Sequence, residues 1–504
     1  MKWEELLTEE RFSPLRKFRG DEVLKKYSTT AFVKDYQTII NSAAFRRLQD
    51  KTQVFPLDTS DFIRTRLTHS LETSSIAKQL GNMILDNMRN VSESCKSENS
   101  KEKKTNYIPD YVKDYDKCRE LYNIPELLSC AGLLHDIGNP PFGHFGETVM
   151  ADWFKGNLKH MKYRGRKAID LLSKQQINDL YYLEGNAQAI RVVSKLHFVE
   201  NDYGMNLAKS LINVLMKYPT SSMEVDKDSE NVCLHKLGYY ECDQKIIDKI
   251  TEKTGTKINN HYVRHPLTFL LEAADDIAYA TADLEDGFKK GFFTLEEFIE
   301  LYKQMLDETD ITNSTKPYVM IVELEELVLQ SQKANPNEKL IKLQIWLNEV
   351  RQWLMYNAAY SFMYNYKSIM KGTYQKELMK GDNVFHMKTL EILKNISCNL
   401  IFKDNRITKI EISGSVILSF LLDKFIGAII HYDINDKDYS LTKEDIKLIG
   451  LLPDNYLENY KMEKKEYKKE SDYLYLRIHL VIDYISGMTD SYARRLYQEL
   501  HGGY

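Results

Sequence analysis

The chain has 504 residues, enough for two or three average domains or for one large helical domain with appendages. With 43% hydrophobic and 28% charged residues it has an ordinary globular balance, and a net charge of −4 gives no footprint of bulk nucleic-acid binding. Six cysteines, at 95, 118, 130, 233, 242 and 398, form no C-x-x-C pair and no regular framework, so they read as free thiols in a reducing cytoplasm.

The N-terminal string MKWEELLTEERF alternates charges and has no apolar core, so no secretion signal is expected. Apolar residues then recur at three- and four-residue spacing over 66–90, 125–137, 207–217, 267–288, 295–308, 340–370 and 474–500, which predicts helices there. Segment 92–106, SESCKSENSKEKKTN, has no apolar face and reads as a solvated, mobile insertion. Segment 221–231, SSMEVDKDSEN, reads as a second loop. The best alternating run is ITKIEIS, 407–413, which predicts one short strand. The most apolar stretch, Val416 to Ile430, is broken by Asp423 and Lys424 and is too short to span a bilayer. Segment 458–472 is charged and tyrosine-bearing, an exposed helix or a loop. The expected class is therefore all-α. A main catalytic domain is expected over about residues 1–300. A helical C-terminal region, 301–504, would pack on that core or on a neighbouring subunit.

The richest string is LLHDIGNPPFGHFGE. His135 and Asp136 follow an apolar helix face made by Leu127, Leu128, Ala131 and Leu134, and Gly138, Pro140, Pro141 and Gly143 then stop the helix. A lone His-Asp pair reads as a core histidine beside a local cap. His144 and Glu147, beyond a rigid turn, shift the balance toward chemistry. His69, in RTRLTHSLE, reads either as part of a salt-bridged turn or as a metal ligand flanked by Arg64 and Arg66, whose guanidiniums suit phosphate oxygens. At about 100° per residue, Asp275, Tyr279, Asp283 and Asp286 share one helix sector, with Glu272 beside them. That stripe reads as an acidic outer face, or as a carboxylate row whose self-repulsion a bound cation relieves. His69, His135–Asp136 and Asp275 lie far apart in sequence, which suits a site in the core of a helical bundle. Mixed nitrogen and oxygen ligands suit Mn²⁺, Fe²⁺, Zn²⁺, Co²⁺ or Mg²⁺.

Taken together, these residues resemble the H…HD…D signature of the HD-domain phosphohydrolase superfamily. Within it the chain is most similar to the bacterial deoxyguanosine triphosphate triphosphohydrolases (dGTPases). The strings that carry the likeness are RRLQDKTQVFPL (46–57), RTRLTHSLE (64–72), LLHDIGNPPFGHFGE (133–147), EGNAQ (184–188), ADDIAYATADLED (274–286) and SGMTD (486–490), in that family's order. The resemblance implies an all-α fold, an HD-domain helical bundle with additional C-terminal helices. It implies a divalent metal, Mn²⁺ or Mg²⁺ in the first place, on His69, His135, Asp136 and Asp275. Asp275 is preferred to Asp276 because Tyr279 and Asp283 then stand at the family's offsets. His144 and Glu147 would form a proton-transfer pair. Arg66, Lys217 and Lys236 would hold the triphosphate. Gln53, Tyr279 and Asp283 would read the deoxyribose and disfavour a ribonucleotide.

The implied reaction is attack of a metal-activated water on the α-phosphorus of dGTP, giving deoxyguanosine and tripolyphosphate. The family further implies a homo-oligomer, a hexamer, and some of its members bind single-stranded DNA at subunit junctions, while the cysteines and the short apolar stretch lead to the expectation of a cytoplasmic chain with no membrane partner. Two other readings stand beside it. One is a triphosphohydrolase of broader dNTP scope; the other is a nucleotide- or single-stranded-DNA-binding sensor with a vestigial site. A cyclic-dinucleotide phosphodiesterase fits less well, since no G-Y-P motif follows the HD pair.

Overall fold

The computed structural model describes residues 1–14, 30–55, 57, 60, 62–98, 109–197, 203–307, 316–329, 336–380, 384–434 and 436–502. Helices dominate, as the spacing predicts. The strands among these residues are two short antiparallel pairs, Lys162–Tyr163 with Arg166–Lys167 and Lys257–Ile258 with His261–Tyr262.

At the centre, helix Arg66–Glu98 packs on Ile124–Leu134, and both pack on Pro266–Lys289. Helix Pro336–Tyr364 lies across the first and the third. Gly132 sets the first approach. A Cβ there would stand 2.5 Å from the Ser74 backbone, so no larger residue fits at this spacing. The Pro266–Lys289 helix is buried along most of its length, its acidic residues Glu272, Asp283, Glu285 and Asp286 included. It is not a surface helix with an acidic outer face.

Several local expectations are corrected. Residues 92–98 continue the Arg66–Glu98 helix rather than opening an insertion, because Ser92 Oγ and Lys96 Nζ both bond Asp116 Oδ1 at 2.8 Å on the neighbouring helix Asp110–Lys117. Residues 99–106 lie outside the described residues. ITKIEIS is helical and not a strand. It opens helix Asn405–Ile429, capped by Asp404, which accepts from the Arg406 N–H. Ile407 joins Gly414, Ile417, Leu418 and Leu421 on the buried face, while Ile412 points outward, so tertiary burial overrides the local alternation. That helix has 25 residues and is long and apolar enough to cross a membrane by length and composition, which the stretch from Val416 alone does not suggest. Half of its most apolar window is buried inside the protein, against Gly143–Asn157, Lys443–Ile449, Glu470–Ser486 and Asp490–His501. The 474–500 run is two helices, Glu470–Ser486 and Asp490–His501, parted at Gly487–Thr489 with Thr489 capping the second. Segment 458–472 contains the end of helix Asp454–Lys464, where Asn459 and Tyr460 are buried rather than exposed. Segment 221–231 is turns and bends, as read.

The middle of the chain is locked to the C-terminal helices by a buried ion network. Arg191 Nε donates to both oxygens of Asp483 at 2.8 and 2.9 Å, and its NH1 and NH2 reach Asp243 and Glu463. Lys195 pairs with the same Asp243 and Glu463. Cys242, Asp243 and Glu463 stand close enough to hold an ion, but these two cations already neutralise the carboxylates.

Candidate metal centre and adjoining cavity

Helix Ile124–Leu134 ends just before His135, and the chain turns through His135–Gly138. That turn carries His135 and Asp136 to the side of the long helix bearing His69 and to the Asp275 face of helix Pro266–Lys289. His69 Nε2 lies 3.1 Å from Asp275 Oδ1. His135 Nε2 lies 3.3 Å from both His69 Nε2 and Asp275 Oδ1. Three electron-pair donors converge on one point, the donor set a divalent ion takes. His135 Nδ1 stands 2.8 Å from the carbonyl of Gly132. In the neutral ring, donation there leaves Nε2 with a lone pair facing the cluster. Asp136 sits at the edge: Oδ2 is 3.6 Å from His135 Nε2 and accepts from Arg66, while Oδ1 accepts from Asn139 at 2.6 Å.

The charges fit this reading. Burial disfavours a charged His135, yet Asp136 and Asp275 outweigh it and hold the imidazole up at about 9. Burial also opposes ionised Asp136 and Asp275. Arg66 and the histidines prevail at Asp136, and His135 with His69 prevails at Asp275, so both carboxyls stay well below their usual range.

Beyond the His135 turn, Phe142 and Gly143 both take left-handed backbone conformations, φ 63° and 60°, and open helix Gly143–Asn157. One turn in, His144 Nδ1 meets Glu147 Oε2 at 3.0 Å. Glu147 Oε1 accepts the backbone N–H of Gly185 at 2.9 Å. Glu147 raises the His144 pKa; burial opposes an ionised Glu147, but His144 carries it below its usual value. A cavity of about 500 Å³ joins the His144 side to the His69–His135–Asp275 cluster, lined by Gln53, Arg66, Asp136, His144, Asp275 and Tyr279 among others.

Residues 66–203 match the HD domain family, and residues 442–499 match the phosphohydrolase-associated domain. The chain is 42% identical over 506 residues to a deoxyguanosinetriphosphate triphosphohydrolase-like protein of Listeria monocytogenes, covering 100% of both chains. It is 31% identical over 511 residues to a protein of the same description from Pseudomonas aeruginosa, covering 100% of this chain and 99% of that one. It is 30% identical over 504 residues to the deoxyguanosinetriphosphate triphosphohydrolase of Salmonella arizonae, covering 93% of each. This chain belongs to the dGTPase family of HD-domain phosphohydrolases.

The residues singled out from the sequence distribute around this dGTPase-family site as follows. His69, His135 and Asp275 form the cluster, and Asp136 flanks it. Asp276 instead pairs with Lys394 at 2.7 Å. Gln53, Arg66, Lys217 and Tyr279 line the main cavity, and Lys217 is also 3.3 Å from Glu272. Lys236 lies outside the main cavity. It pairs with Glu184 at 3.1 Å and lines two adjoining hollows, which it shares with His144. Asp283 is not on the cavity wall; it sits behind Tyr279, where burial pushes its carboxyl well above the usual range. Its Oδ2 is buried without a hydrogen-bond partner, as is Oε1 of Gln53.

Sequence reasoning did not find the far wall: Lys394, Phe402, Ile407 and Glu411, all from the C-terminal third. Phe402 stacks on Tyr279 at 6.2 Å. The one available signal was the helical spacing of Ile407 with the apolar residues that follow. Protein cations pair with Glu272 and Asp286 of the acidic stripe and with its neighbours Asp276 and Glu285, while Asp275 and Asp283 have no lysine or arginine partner among the described residues. Arg264 and Lys217 face Glu272, Lys394 faces Asp276, and Arg64 faces Glu285 and Asp286.

Proposed function

We propose that this chain hydrolyses dGTP at the α-phosphorus, with water as co-substrate, to deoxyguanosine and tripolyphosphate. The observation that carries the reading is the convergence of His69, His135 and Asp275 at a cavity shared with His144. These residues, with Asp136 alongside, would hold Mn²⁺ or Mg²⁺. When bound, such an ion supplies Lewis acidity, lowering the pKa of water and polarising a phosphoryl oxygen.

The chain's own groups do the rest. His144, charged through its contact with Glu147, serves proton transfer at the reacting oxygens, the 5′ oxygen among them. Glu147 orients that imidazole and is itself fixed by Gly185. Arg66, Lys217 and Lys236 neutralise the triphosphate, whose negative charge grows as the 5′ oxygen departs. Gln53 and Tyr279 meet the sugar, with Asp283 behind them. The family name of the Listeria relative fits this chemistry, and the named activity of the Salmonella relative supports dGTP as the substrate.

The test is turnover of dGTP, dATP, dCTP, dTTP and GTP, singly and mixed, with Mn²⁺ or Mg²⁺, by the wild type, His135→Ala and Glu147→Ala. Deoxyguanosine and tripolyphosphate from dGTP, lost in both variants, support the reading. Equal turnover of all four dNTPs overturns the guanine preference. Tight, salt-dependent binding of single-stranded DNA with no turnover of any nucleotide overturns the enzyme.

A further inference from the structure

We infer that Asp490, in the C-terminal helical region, is a positioning residue for the reaction, holding both lips of the cavity through one carboxylate. The inference rests on the hydrolase reading above. Asp490 opens helix Asp490–His501 and is 1% exposed. Its Oδ2 accepts the Thr52 N–H at 3.0 Å and the Thr52 hydroxyl. Its Oδ1 accepts the Phe142 N–H at 2.9 Å. Thr52 and Phe142 both line the main cavity, and they come from segments 90 residues apart in the chain. Thr52 precedes Gln53. Phe142 precedes Gly143 and His144.

The Phe142 bond matters because of where it falls. A phenylalanine at φ 63° is in a conformation that side-chain-bearing residues rarely adopt, and it persists only where the surroundings hold it. Asp490 captures the amide of that residue, two positions before His144. Lys51 braces the same junction, with Nζ bonded to the carbonyls of Asn139 and Ser486. Asn139 in turn holds Asp136. The SGMTD turn, residues 486–490, therefore fixes where the His144–Glu147 pair stands relative to the metal cluster, although it touches neither.

The chemistry requires a carboxylate. Three donors point at Asp490, and an ionised carboxyl accepts all three. An asparagine has one acceptor oxygen, and its NH₂ would face an N–H of Thr52 or Phe142.

The test compares Asp490→Asn with Leu496→Ala, a substitution on the same helix at a buried residue that meets neither Thr52 nor Phe142 through a hydrogen bond. Melting temperature, metal content, kcat, KM and amide hydrogen exchange are measured on full-length protein. Displacement of a reacting group by about 1 Å costs up to roughly a hundredfold, so Asp490→Asn should lose about tenfold or more in kcat with a smaller change in KM. Metal content should be unchanged, and exchange should quicken at Thr52, Phe142 and Gly143. Leu496→Ala should lower the melting temperature while keeping kcat and the protection of those amides. Loss of turnover in proportion to melting temperature in both variants overturns the inference. So does Asp490→Asn with wild-type turnover and protection. If Asp490→Asn does not fold, Thr52→Val, which deletes only the hydroxyl bond, carries the same comparison with a smaller loss. If the wild type leaves dGTP untouched, the substrate reading fails, and the exchange data alone decide the role of Asp490.

Discussion

Gly185 donates its backbone N–H to Glu147, and the side chain it lacks leaves the room that carboxylate occupies. A Cβ at 185 would stand 2.6 Å from Glu147 Oε1 and 2.0 Å from Asn139 Oδ1. One glycine thus guards both the carboxylate that orients His144 and the amide that steadies Asp136. Gly185→Ala is expected to cost about 1–3 kcal/mol in stability, the usual range for overpacking. Turnover should fall as well, by about tenfold or more, since both displaced groups border the candidate site. Urea unfolding and steady-state kinetics on the same preparation check this, and near-wild-type kcat would refute it.

Metal binding should respond to pH in a definite sense. Without metal, His135 holds its proton up to about 9, and a ligating imidazole must give it up. Apparent affinity therefore rises with pH from about 6.5 toward 9. A ligand that binds only the folded state raises the melting temperature by mass action. The shift produced by a fixed Mn²⁺ concentration should be larger at pH 8.5 than at pH 6.5, and should vanish in Asp275→Ala. A shift that is independent of pH, or that survives Asp275→Ala, contradicts the assigned centre.

Lys51 gives a second pH signature, at the junction that Asp490 also braces. Burial holds its ammonium down at about 7, against 10.5 for an ordinary lysine, with Asp490 opposing the shift. Between those values the unfolded chain binds more protons than the folded one, so the contribution of this position to stability rises with pH across that window. Lys51→Met removes two buried hydrogen bonds and leaves two carbonyls unpaired, at a cost of about 1–3 kcal/mol for each unsatisfied group. The difference in unfolding free energy between wild type and variant should widen from pH 7 to pH 9.5; a constant difference would refute the assignment.

The Arg191 network predicts a purely structural phenotype. Arg191 is buried and bonds Asp243, Glu463 and Asp483. Removing one partner of a buried ionic cluster costs about 3–5 kcal/mol, because the remaining carboxylates lose their counter-charge. Arg191→Met should lower the melting temperature markedly while kcat per folded molecule is retained. Differential scanning calorimetry with active-site titration separates the two effects.

The convergence of His69, His135 and Asp275 was legible in the sequence chiefly through the H…HD…D resemblance, and the glycine–proline turn after Asp136 marks a fixed backbone path. The helices were legible through their apolar spacing. The far wall of the cavity was not: Lys394, Phe402, Ile407 and Glu411 have no spacing that ties them to His69 or Asp275, and only packing brings them there. ITKIEIS misled because its alternation is local, whereas burial of Ile407 with Gly414 and Leu418 is set by the helices beneath. The acidic stripe around Asp275 misled in part for the same reason. The counter-ions of Glu272 and Asp286, namely Lys217, Arg264 and Arg64, come from distant segments that one helix cannot reveal.

The most direct test of the central claim is hydrolysis of dGTP in ¹⁸O-labelled water with Mn²⁺, with the products resolved by mass spectrometry. Attack at the α-phosphorus places one ¹⁸O in tripolyphosphate and none in deoxyguanosine, and His69→Ala and Asp275→Ala should yield neither product. Release of dGMP with pyrophosphate, of dGDP with phosphate, or of labelled deoxyguanosine would contradict it.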